Sequence, residues 1–471
     1  MAVISRRSFL KSSVLTAAAL AGCQAITGPA ILKTRSPNSK INTACIACGG
    51  RGGAHVGPAS TENLIALCDV DRNTLDRVKK DHPGAQTFTD YRKMFDKLGK
   101  DLDAVFVATP DHSHAAASIL AIESGIACYT EKPLTWSVAE SRALAQATAK
   151  MKVATQMGNG GHAGRGNRLI VEWIRDGAVG EVKEVHTWTN RPVWPQGITE
   201  RPPKLPVPDY LDWDCWIGPA EFRDFHDGLH GFKWRGWFDF GCGAIGDMGC
   251  HTWDNVFWSL QPDYPDYVEL LEINGSGGKE TFAKQTKFKW VFPKKGNRPG
   301  FDAFWYSGGL KPAVPEEMLK DPTRTQGGKV PELAGSGNLY IGTKGILLVT
   351  GDYGDSARLI PEKSMQEFME ARKDKVSPNF IELAPSHPEG KMDGQQYEFI
   401  LAARGEKPWN FPKTNFAEYA GPLTEVMLLG AIAERIGKVG FKIECDAVKR
   451  TIKTKEALAL ASRRYRKGWT L

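Results

Sequence analysis

The chain has 471 residues, enough for two or three domains, and 41% of them are hydrophobic and 24% charged. This is the composition of a globular protein and excludes a disordered or fibrous chain. No apolar run reaches the roughly 20 residues that cross a bilayer, which excludes a multi-span membrane protein. The formal charge of +7 is small and dispersed, which argues against a nucleic-acid partner.

Residues 1–22 have the pattern of an export signal. The pair Arg6 and Arg7 precedes a Phe-Leu-Lys sequence and a short apolar stretch, which is typical of the twin-arginine route. A Leu-Ala-Gly-Cys sequence ending at Cys23 resembles a lipobox, although Ala-x-Ala spacings in the same stretch offer ordinary cleavage. We therefore expect a periplasmic protein or a lipoprotein anchored at Cys23, with residues 23–40 as a polar linker.

Residues 41–157 are predicted to form a Rossmann domain that binds a dinucleotide. An apolar run enters a turn made of Gly49, Gly50, Arg51 and Gly52, and a helix and a second apolar run follow. Gly49 lets backbone N–H groups approach a pyrophosphate, and Gly52 lets the following helix pack against the strand. The first glycine of the usual turn is replaced by alanine.

An acidic residue at the end of the second strand indicates which cofactor is bound. Asp69 follows Gly49 by 20 residues, the spacing at which a carboxylate binds the adenosine ribose hydroxyls. A 2′-phosphate would face this carboxylate, so the sequence favours NAD. Arg72 lies close enough to keep NADP as the alternative.

The alternation of strands and helices continues to about residue 150. Helices are predicted at 74–81, 91–98 and 115–124, and strands at 104–108 and 126–130. These two strands lead into Thr-Pro-Asp-His-Ser-His (109–114) and Glu-Lys-Pro (131–133). Such alternation predicts a parallel sheet that binds its ligand at the carboxyl ends of the strands, where the glycine turn, Asp69, Thr109 and Lys132 all fall.

These motifs, with a glycine-rich segment before Asp-x-x-x-His-x-x-Asp at Asp247, His251 and Asp254, resemble the glucose–fructose oxidoreductase/inositol dehydrogenase/rhizopine catabolism family. The resemblance implies an α/β fold with a second domain, residues 158–471, built on a large, open, mostly antiparallel sheet. Such proteins often form homo-oligomers. It also implies further cofactor contacts, which we expect from Asp111, His114, Glu131 and Asn159.

The resemblance places Lys132 beside the nicotinamide, where it would donate a hydrogen bond to the reacting oxygen or stabilise charge on it. The cationic ring of the oxidised cofactor could then lower the pKa of this lysine. Asp247, His251 and Asp254 would share one helix face. Asp247 would then orient the imidazole, and His251 would take or return the proton. No metal site is expected.

Tryptophan is concentrated where the substrate would lie, with eight tryptophans between residues 188 and 258. Flat aromatic faces pack against the C–H faces of sugars, and polar neighbours bond the hydroxyls. We expect Asn190, Trp194, Trp237 and Asp254 to bind a carbohydrate or cyclitol. The stretch 293–338, rich in Gly, Pro and Lys, is predicted to be a long loop.

An exported enzyme of this kind has no pool of free nicotinamide to draw on, so its cofactor should be tightly held. The predicted activity is interconversion of a hydroxyl and a ketone on a sugar, glycoside or cyclitol. One alternative is an NAD-assisted glycosidase that acts by transient C3 oxidation and elimination, although we expect such relatives to lack the lysine of Glu-Lys-Pro. The other is a catalytically silent sugar-binding lipoprotein.

Overall fold

The computed structural model describes residues 39–471. The predicted signal, the predicted lipid attachment at Cys23 and most of the linker lie outside the described residues. No helix in the described range is both long and apolar enough to cross a membrane.

The first domain is built on a six-stranded parallel sheet with the strand order β3-β2-β1-β4-β5-β6. This is the order of a dinucleotide-binding Rossmann sheet. Its strands are β1 (Asn42–Ile46), β2 (Asn63–Cys68), β3 (Gln86–Phe88), β4 (Ala104–Val107), β5 (Ala127–Glu131) and β6 (Thr155–Gly158).

Five helices connect these strands and cover both faces of the sheet. They are α1 (Gly53–Ser60), α2 (Arg72–Asp81), α3 (Tyr91–Leu98), α4 (Asp111–Glu123) and α5 (Val138–Met151). Local signals define their starts: the Asp71 carboxylate accepts from two N–H groups at the start of α2, and Ser137 with Glu140 forms a capping box on α5. Because α4 begins at Asp111 rather than at residue 115, the Asp-His-Ser-His segment is helical.

The second domain is built on a nine-stranded sheet with the order β13-β12-β11-β7-β10-β9-β8-β14-β15. Its pairings are antiparallel except for β7 with β10, and the predicted fold class is confirmed. The strands are β7 (Val182–Trp188), β8 (Tyr267–Asn274), β9 (Gln285–Phe292), β10 (Phe301–Tyr306), β11 (Gly337–Gly342), β12 (Gly345–Thr350), β13 (Ser356–Ile360), β14 (Lys442–Asp446) and β15 (Thr451–Ile452).

The prediction of a single long loop over 293–338 is wrong, because this stretch contains the strand β10 near the middle of the sheet. Phe301, Ala303 and Trp305 are buried and alternate with less buried residues, which is the period of a half-buried strand. The glycines and prolines that suggested a loop flank this short strand. A short helix, α10 (Glu316–Lys320), also lies in the stretch.

The helices of the second half of the chain pack on the large sheet, on one another and on the first domain. They are α6 (Arg165–Arg175), α7 (Trp213–Ile217), α8 (Gly243–Thr252), α9 (Asp254–Leu260), α11 (Glu362–Arg372), α12 (Gly394–Ala403), α13 (Gly421–Ile436) and α14 (Lys455–Leu460). Phe399 of α12 packs with Phe106 and Tyr129 of the first domain. Residues of the second half of the chain therefore complete the covering of the Rossmann sheet.

Candidate active site

A cleft of about 960 Å³ lies where the two domains meet, at the carboxyl ends of β1, β2, β4 and β5. One wall carries the glycine turn, Asp69, Thr109 and Lys132. The other is formed by residues 215–235 together with His251 and Tyr353. This volume is at the upper end of the range of about 300–1,000 Å³ for small-molecule sites.

The glycine turn has the shape that a pyrophosphate requires. Ala47, in place of the usual first glycine, has a left-handed φ of 67°, a conformation that costs a residue with a β-carbon about 1 kcal/mol or more. A β-carbon built on Gly52 would lie 2.1 Å from the Ala47 carbonyl oxygen, so only glycine fits there. Around Gly50, by contrast, no described atom lies within 4 Å of a built β-carbon, which leaves this side of the turn open to a ligand.

Asp69 organises the turn as well as facing the cleft. Its Oδ2 accepts from the backbone N–H groups of Cys48 (2.7 Å) and Gly49 (3.3 Å), and its Oδ1 accepts from Asp71 (3.0 Å). Burial raises the pKa of Asp69, and these three donors counteract only part of that effect. The carboxylate therefore joins the ends of β1 and β2.

Glu131 is buried at the end of β5 and bridges Arg51 and His55. Its Oε1 lies 2.7 Å from Arg51 Nε and 2.8 Å from His55 Nε2. Burial alone would raise the pKa of Glu131, but the hydrogen bond from His55 and the neighbouring positive charges lower it to about 2. Glu131 is therefore a permanent carboxylate that holds Arg51 at the mouth of the turn.

Thr109 and His114 connect the ends of β4 and β5. The two ring nitrogens of His114 lie 2.6 Å from the Thr109 carbonyl oxygen and 2.8 Å from that of Pro133. Thr109 Oγ1 is buried and has no protein partner among residues 39–471. A buried hydroxyl at the wall of a cleft is a suitable group to bond a ligand.

Lys132 is held by Asp247, which also binds Arg235. Lys132 Nζ donates to the Asp247 carbonyl oxygen (2.9 Å) and to its Oδ1 (3.0 Å), and Arg235 Nε donates to the same Oδ1 (3.1 Å). Burial would lower the pKa of Lys132, but the carboxylates of Asp247 and Glu131 raise it above its ordinary value. These two carboxylates therefore favour the charged lysine, and the lowered pKa expected beside a cationic nicotinamide ring stays a prediction.

His251 lines the cleft but is not oriented by Asp247 as predicted, because Asp247 bonds Lys132 and Arg235 instead. Its ring lies edge-on to Tyr353, with 4.9 Å between the centroids. Burial, with the charge of Lys132, lowers the pKa of His251 to about 3. The imidazole is therefore neutral at physiological pH and holds a proton only weakly.

The structure corrects the predicted roles of Asp254 and Asn159, since neither lies on the cleft wall. The helix breaks at Trp253, between α8 and α9, and this break turns Asp254 into the protein. The Asp254 carboxylate there accepts from Asn159 Nδ2 (3.1 Å) and Tyr419 OH (2.7 Å) and lies 3.0 Å from His162 Nδ1. These residues support the end of β6 from beneath.

The other predicted substrate residues also lie elsewhere. Asn190 and Trp194 line a separate groove of about 470 Å³, and Trp237 is fully buried with its Nε1 bonded to the Gly228 carbonyl. Side chains that the sequence did not single out take their place in the cleft. They are Trp216, His230, Phe232, Trp234 and Tyr353.

The tryptophan-rich stretch reaches the cleft, but not through the tryptophans that were predicted to bind substrate. Trp216 and Trp234 belong to that dense stretch. Tyr353 lies in the turn after β12, where no sequence motif indicated a functional residue. Asp111 also lines the cleft, and its Oδ2 accepts from the Cys242 N–H at 3.0 Å.

The fold and the cleft together define a two-domain protein with an NAD-binding Rossmann domain and a C-terminal α/β domain. Residues 41–159 match the model of an oxidoreductase family, NAD-binding Rossmann fold, and residues 178–290 match its C-terminal alpha/beta domain. Both matches are to domains of the Gfo/Idh/MocA oxidoreductase family, the family that the motifs resemble.

Among curated proteins, the chain is similar to glycosyl hydrolase family 109 protein 1 of Shewanella sp. (strain ANA-3). The two are 26% identical over 205 residues, which are 38% of this chain and 44% of that protein. A second relative, a glycosyl hydrolase family 109 protein of Shewanella pealeana, is also 26% identical, over 202 residues with the same coverage. The similarity thus spans less than half the length of these relatives.

Solved structures share the fold. The WlbA dehydrogenase from Bordetella pertussis, in complex with NADH and UDP-GlcNAcA, matches with a TM-score of 0.56 and 17% identity and covers 86% of this chain and 99% of its own. Levoglucosan dehydrogenase, in complex with NADH and L-sorbose, matches with a TM-score of 0.52 and 15% identity and covers 87% and 100%. At these identities the likeness concerns the fold.

Proposed function

We propose that this protein is an NAD(P)-dependent oxidoreductase that interconverts a hydroxyl and a ketone on a sugar, glycoside or cyclitol. The observation that carries the proposal is the position of Lys132. Its ammonium group is held by Asp247 in the same cleft that contains the glycine turn and Asp69.

The cleft fits a dinucleotide. The open side of Gly50 and the backbone of the turn would receive the pyrophosphate, and Arg51 would add a positive charge there. Asp69 would bind the ribose hydroxyls, and the unpartnered hydroxyl of Thr109 would bond the cofactor further along the wall. Bound NAD supplies the hydride acceptor for the oxidation of a carbinol carbon.

The residues around Lys132 can handle the proton of the substrate hydroxyl. Two of the three Nζ donors are occupied by Asp247, and the third is available to the reacting oxygen. Because Asp247 and Glu131 keep Lys132 charged, the lysine stabilises negative charge on that oxygen. His251 would relay the hydroxyl proton to solvent rather than keep it, because its pKa is about 3, and Trp234 with Tyr353 offers aromatic faces to a sugar ring.

Export by the twin-arginine route, a lipid anchor at Cys23, a homo-oligomeric assembly and a tightly held cofactor all remain proposals. They support one another, because an enzyme that leaves the cytoplasm must carry its nicotinamide with it. Each catalytic cycle would then return the cofactor to its starting state, either through a second substrate or within one reaction.

A second candidate is an NAD-assisted glycosidase, which the similarity to glycosyl hydrolase family 109 proteins favours. Transient oxidation at C3 would acidify the neighbouring C2–H, and the leaving group would depart by elimination. Its products separate it from the first candidate. A glycosidase releases the aglycone and incorporates solvent deuterium at C2, whereas a dehydrogenase accumulates a keto sugar.

The first experiment is to denature the purified protein and to identify the released nucleotide by mass spectrometry. About one NAD(H) or NADP(H) per chain supports the proposal. If no nucleotide is released and the folded protein binds none when it is added, the proposed function is wrong. A silent binding protein would retain its biological effect in the Lys132→Ala variant, whereas an enzyme would lose it.

A further inference from the structure

We infer that residues 209–235, here called the strap, are fastened by the C-terminal residues 463–469, here called the tail, and that this fastening retains the dinucleotide during turnover. The inference rests on the proposed function, since it concerns the same cofactor. It explains how a protein with no nicotinamide supply outside the cytoplasm would keep its own.

The strap forms the wall of the cleft opposite Asp69. Cys215, Trp216 and His230 of the strap line the cleft together with Asp71 and Tyr91 of the Rossmann domain. These residues surround the end of the cleft where Asp69 would bind the adenosine ribose. The strap therefore has to move away before the adenosine end of a bound dinucleotide can leave on this side.

The strap is joined to the Rossmann domain by few polar contacts. The Asp212 N–H donates to the Val70 carbonyl and the Arg72 N–H donates to the Tyr210 carbonyl, both at 2.9 Å. His112 Nε2 lies 2.9 Å from the Trp216 carbonyl oxygen. The strap otherwise packs around an aromatic core that also includes Trp237 and Phe240. Val70 contacts this core from the first domain, and the His112 ring lies 5.3 Å from that of Trp216.

The tail connects the strap to the Rossmann domain from outside. Arg466 donates to the Gly218 carbonyl (3.1 Å) and to the Asp214 carbonyl (2.9 Å), and it forms an ion pair with the Asp214 carboxylate. Three positions later, Trp469 is buried against α3. The Arg92 guanidinium lies 3.8 Å above its ring, and the Tyr91 ring lies edge-on at 5.8 Å.

One tail segment thus holds both sides of the adenosine end, and Tyr91 is itself a cleft residue. Arg463 adds a second attachment, because it bonds the His112 carbonyl and the Glu140 carboxylate. A forked guanidinium that bonds several acceptors at once fixes their geometry. Loss of the Arg466 contacts should therefore raise the frequency of strap opening and leave the glycine turn intact.

The test measures nucleotide retention. Wild type, Arg466→Ala and Trp469→Ala are purified, loaded with NADH, and chased with excess NAD while the fluorescence of bound NADH is followed. We expect both variants to release NADH at least tenfold faster than wild type. Arg464→Ala is the matched control, because Arg464 is an exposed arginine two positions from Arg466, and it should release NADH at the wild-type rate.

Hydrogen exchange supplies a second readout that does not depend on turnover. The amides of Arg72 and Asp212, which donate across the junction of strap and Rossmann domain, should lose protection in Arg466→Ala and keep it in Arg464→Ala. Arg466→Lys keeps the charge but not the forked donors and should give an intermediate release rate. If Trp469→Ala fails to fold, the hydrogen-exchange comparison of the Arg466 and Arg464 variants still tests the inference.

The outcomes separate the two proposals. If wild type retains NADH while Arg466→Ala releases it at the wild-type rate with unchanged exchange, the tail does not fasten the strap and the proposed function stands. If wild type binds no nucleotide, both proposals are wrong.

Discussion

Replacement of Lys132 by methionine tests the proposed chemistry most specifically, because methionine nearly preserves the side-chain length and removes the charge. Lys132 has one Nζ donor left for the reacting oxygen after its two bonds to Asp247. Loss of one preorganised donor to developing charge reduces kcat by about 10²–10³. We expect that reduction in kcat, with nucleotide content unchanged.

The structure also bounds the effect of this variant on stability. An orphaned buried charge costs about 3–5 kcal/mol, but in Lys132→Met the Asp247 carboxylate keeps Arg235 at 3.1 Å. We therefore expect a loss of less than about 3 kcal/mol in the free energy of unfolding, measured in urea. Lys183→Met, at an exposed lysine paired with Glu181 on the surface, is the control and should change neither quantity.

Steady-state kinetics and nucleotide analysis of the same preparations test whether Lys132 acts in the chemical step or in cofactor binding. A Lys132→Met variant that holds its nucleotide and turns over within tenfold of wild type would refute the role of this lysine. Loss of bound nucleotide in the variant would show instead that Lys132 serves cofactor binding.

Three further predictions concern the glycine turn and the acid groups of the cleft. Gly52→Ala should abolish dinucleotide binding, because its β-carbon would overlap the Ala47 carbonyl, and NADH titration measures this loss. Gly57→Ala is the control, because no described atom lies near its β-carbon. It should stabilise α1 by about 0.5–1 kcal/mol, as thermal unfolding would show. Ala47→Gly should raise stability by about 1 kcal/mol, because it relieves a left-handed φ, as urea unfolding would report. Burial raises the pKa of Asp111 to about 7, so the folded protein keeps a proton that the unfolded chain loses, and stability falls as pH rises from about 4 to 7. Urea unfolding at pH 5 and pH 8 should show that this fall is reduced in Asp111→Asn.

Each of these has a contradicting result. Normal NADH affinity in Gly52→Ala would remove the steric argument for the turn. A less stable Ala47→Gly protein would mean that the unfolded-state entropy of glycine outweighs the relief at φ. An Asp111→Asn variant with the wild-type dependence on pH would show that this carboxyl titrates normally. Asp96→Asn, at an exposed aspartate, is the control for Asp111.

The sequence predicted those parts of the fold that depend on local patterns. The Rossmann elements follow from apolar runs and helix caps, and α3 has the predicted bounds of Tyr91–Leu98. Lys132 and Asp69 could be placed because parallel strands bring their ends to one edge of the sheet. The strand β10 was missed because flanking glycines and prolines hid a six-residue alternation.

The far wall of the cleft could not be predicted, because it depends on long-range packing. The helix break at Trp253 turns Asp254 inward, and the hydrophobic periodicity of the sequence does not indicate this break. Tyr353 reaches the cleft from a turn between β12 and β13 only because the large sheet packs where it does. The pKa of Lys132 depends on Asp247, which is 115 residues away in the chain. The local sequence around Lys132 determines neither its distance from the Asp247 carboxylate nor the sum of the charges around it.

The central claim is that a nicotinamide bound in this cleft accepts a hydride from the carbinol carbon of a sugar. The most direct measurement adds a panel of sugars, glycosides and cyclitols to the purified protein with its bound nucleotide and no free nucleotide. Absorbance reports the reduced nicotinamide, and NMR identifies the product. We predict that one substrate class reduces the bound cofactor once per chain and yields an equivalent of keto product. A protein whose bound nucleotide is reduced by no member of the panel, or that releases aglycone without accumulating a ketone, would contradict the account.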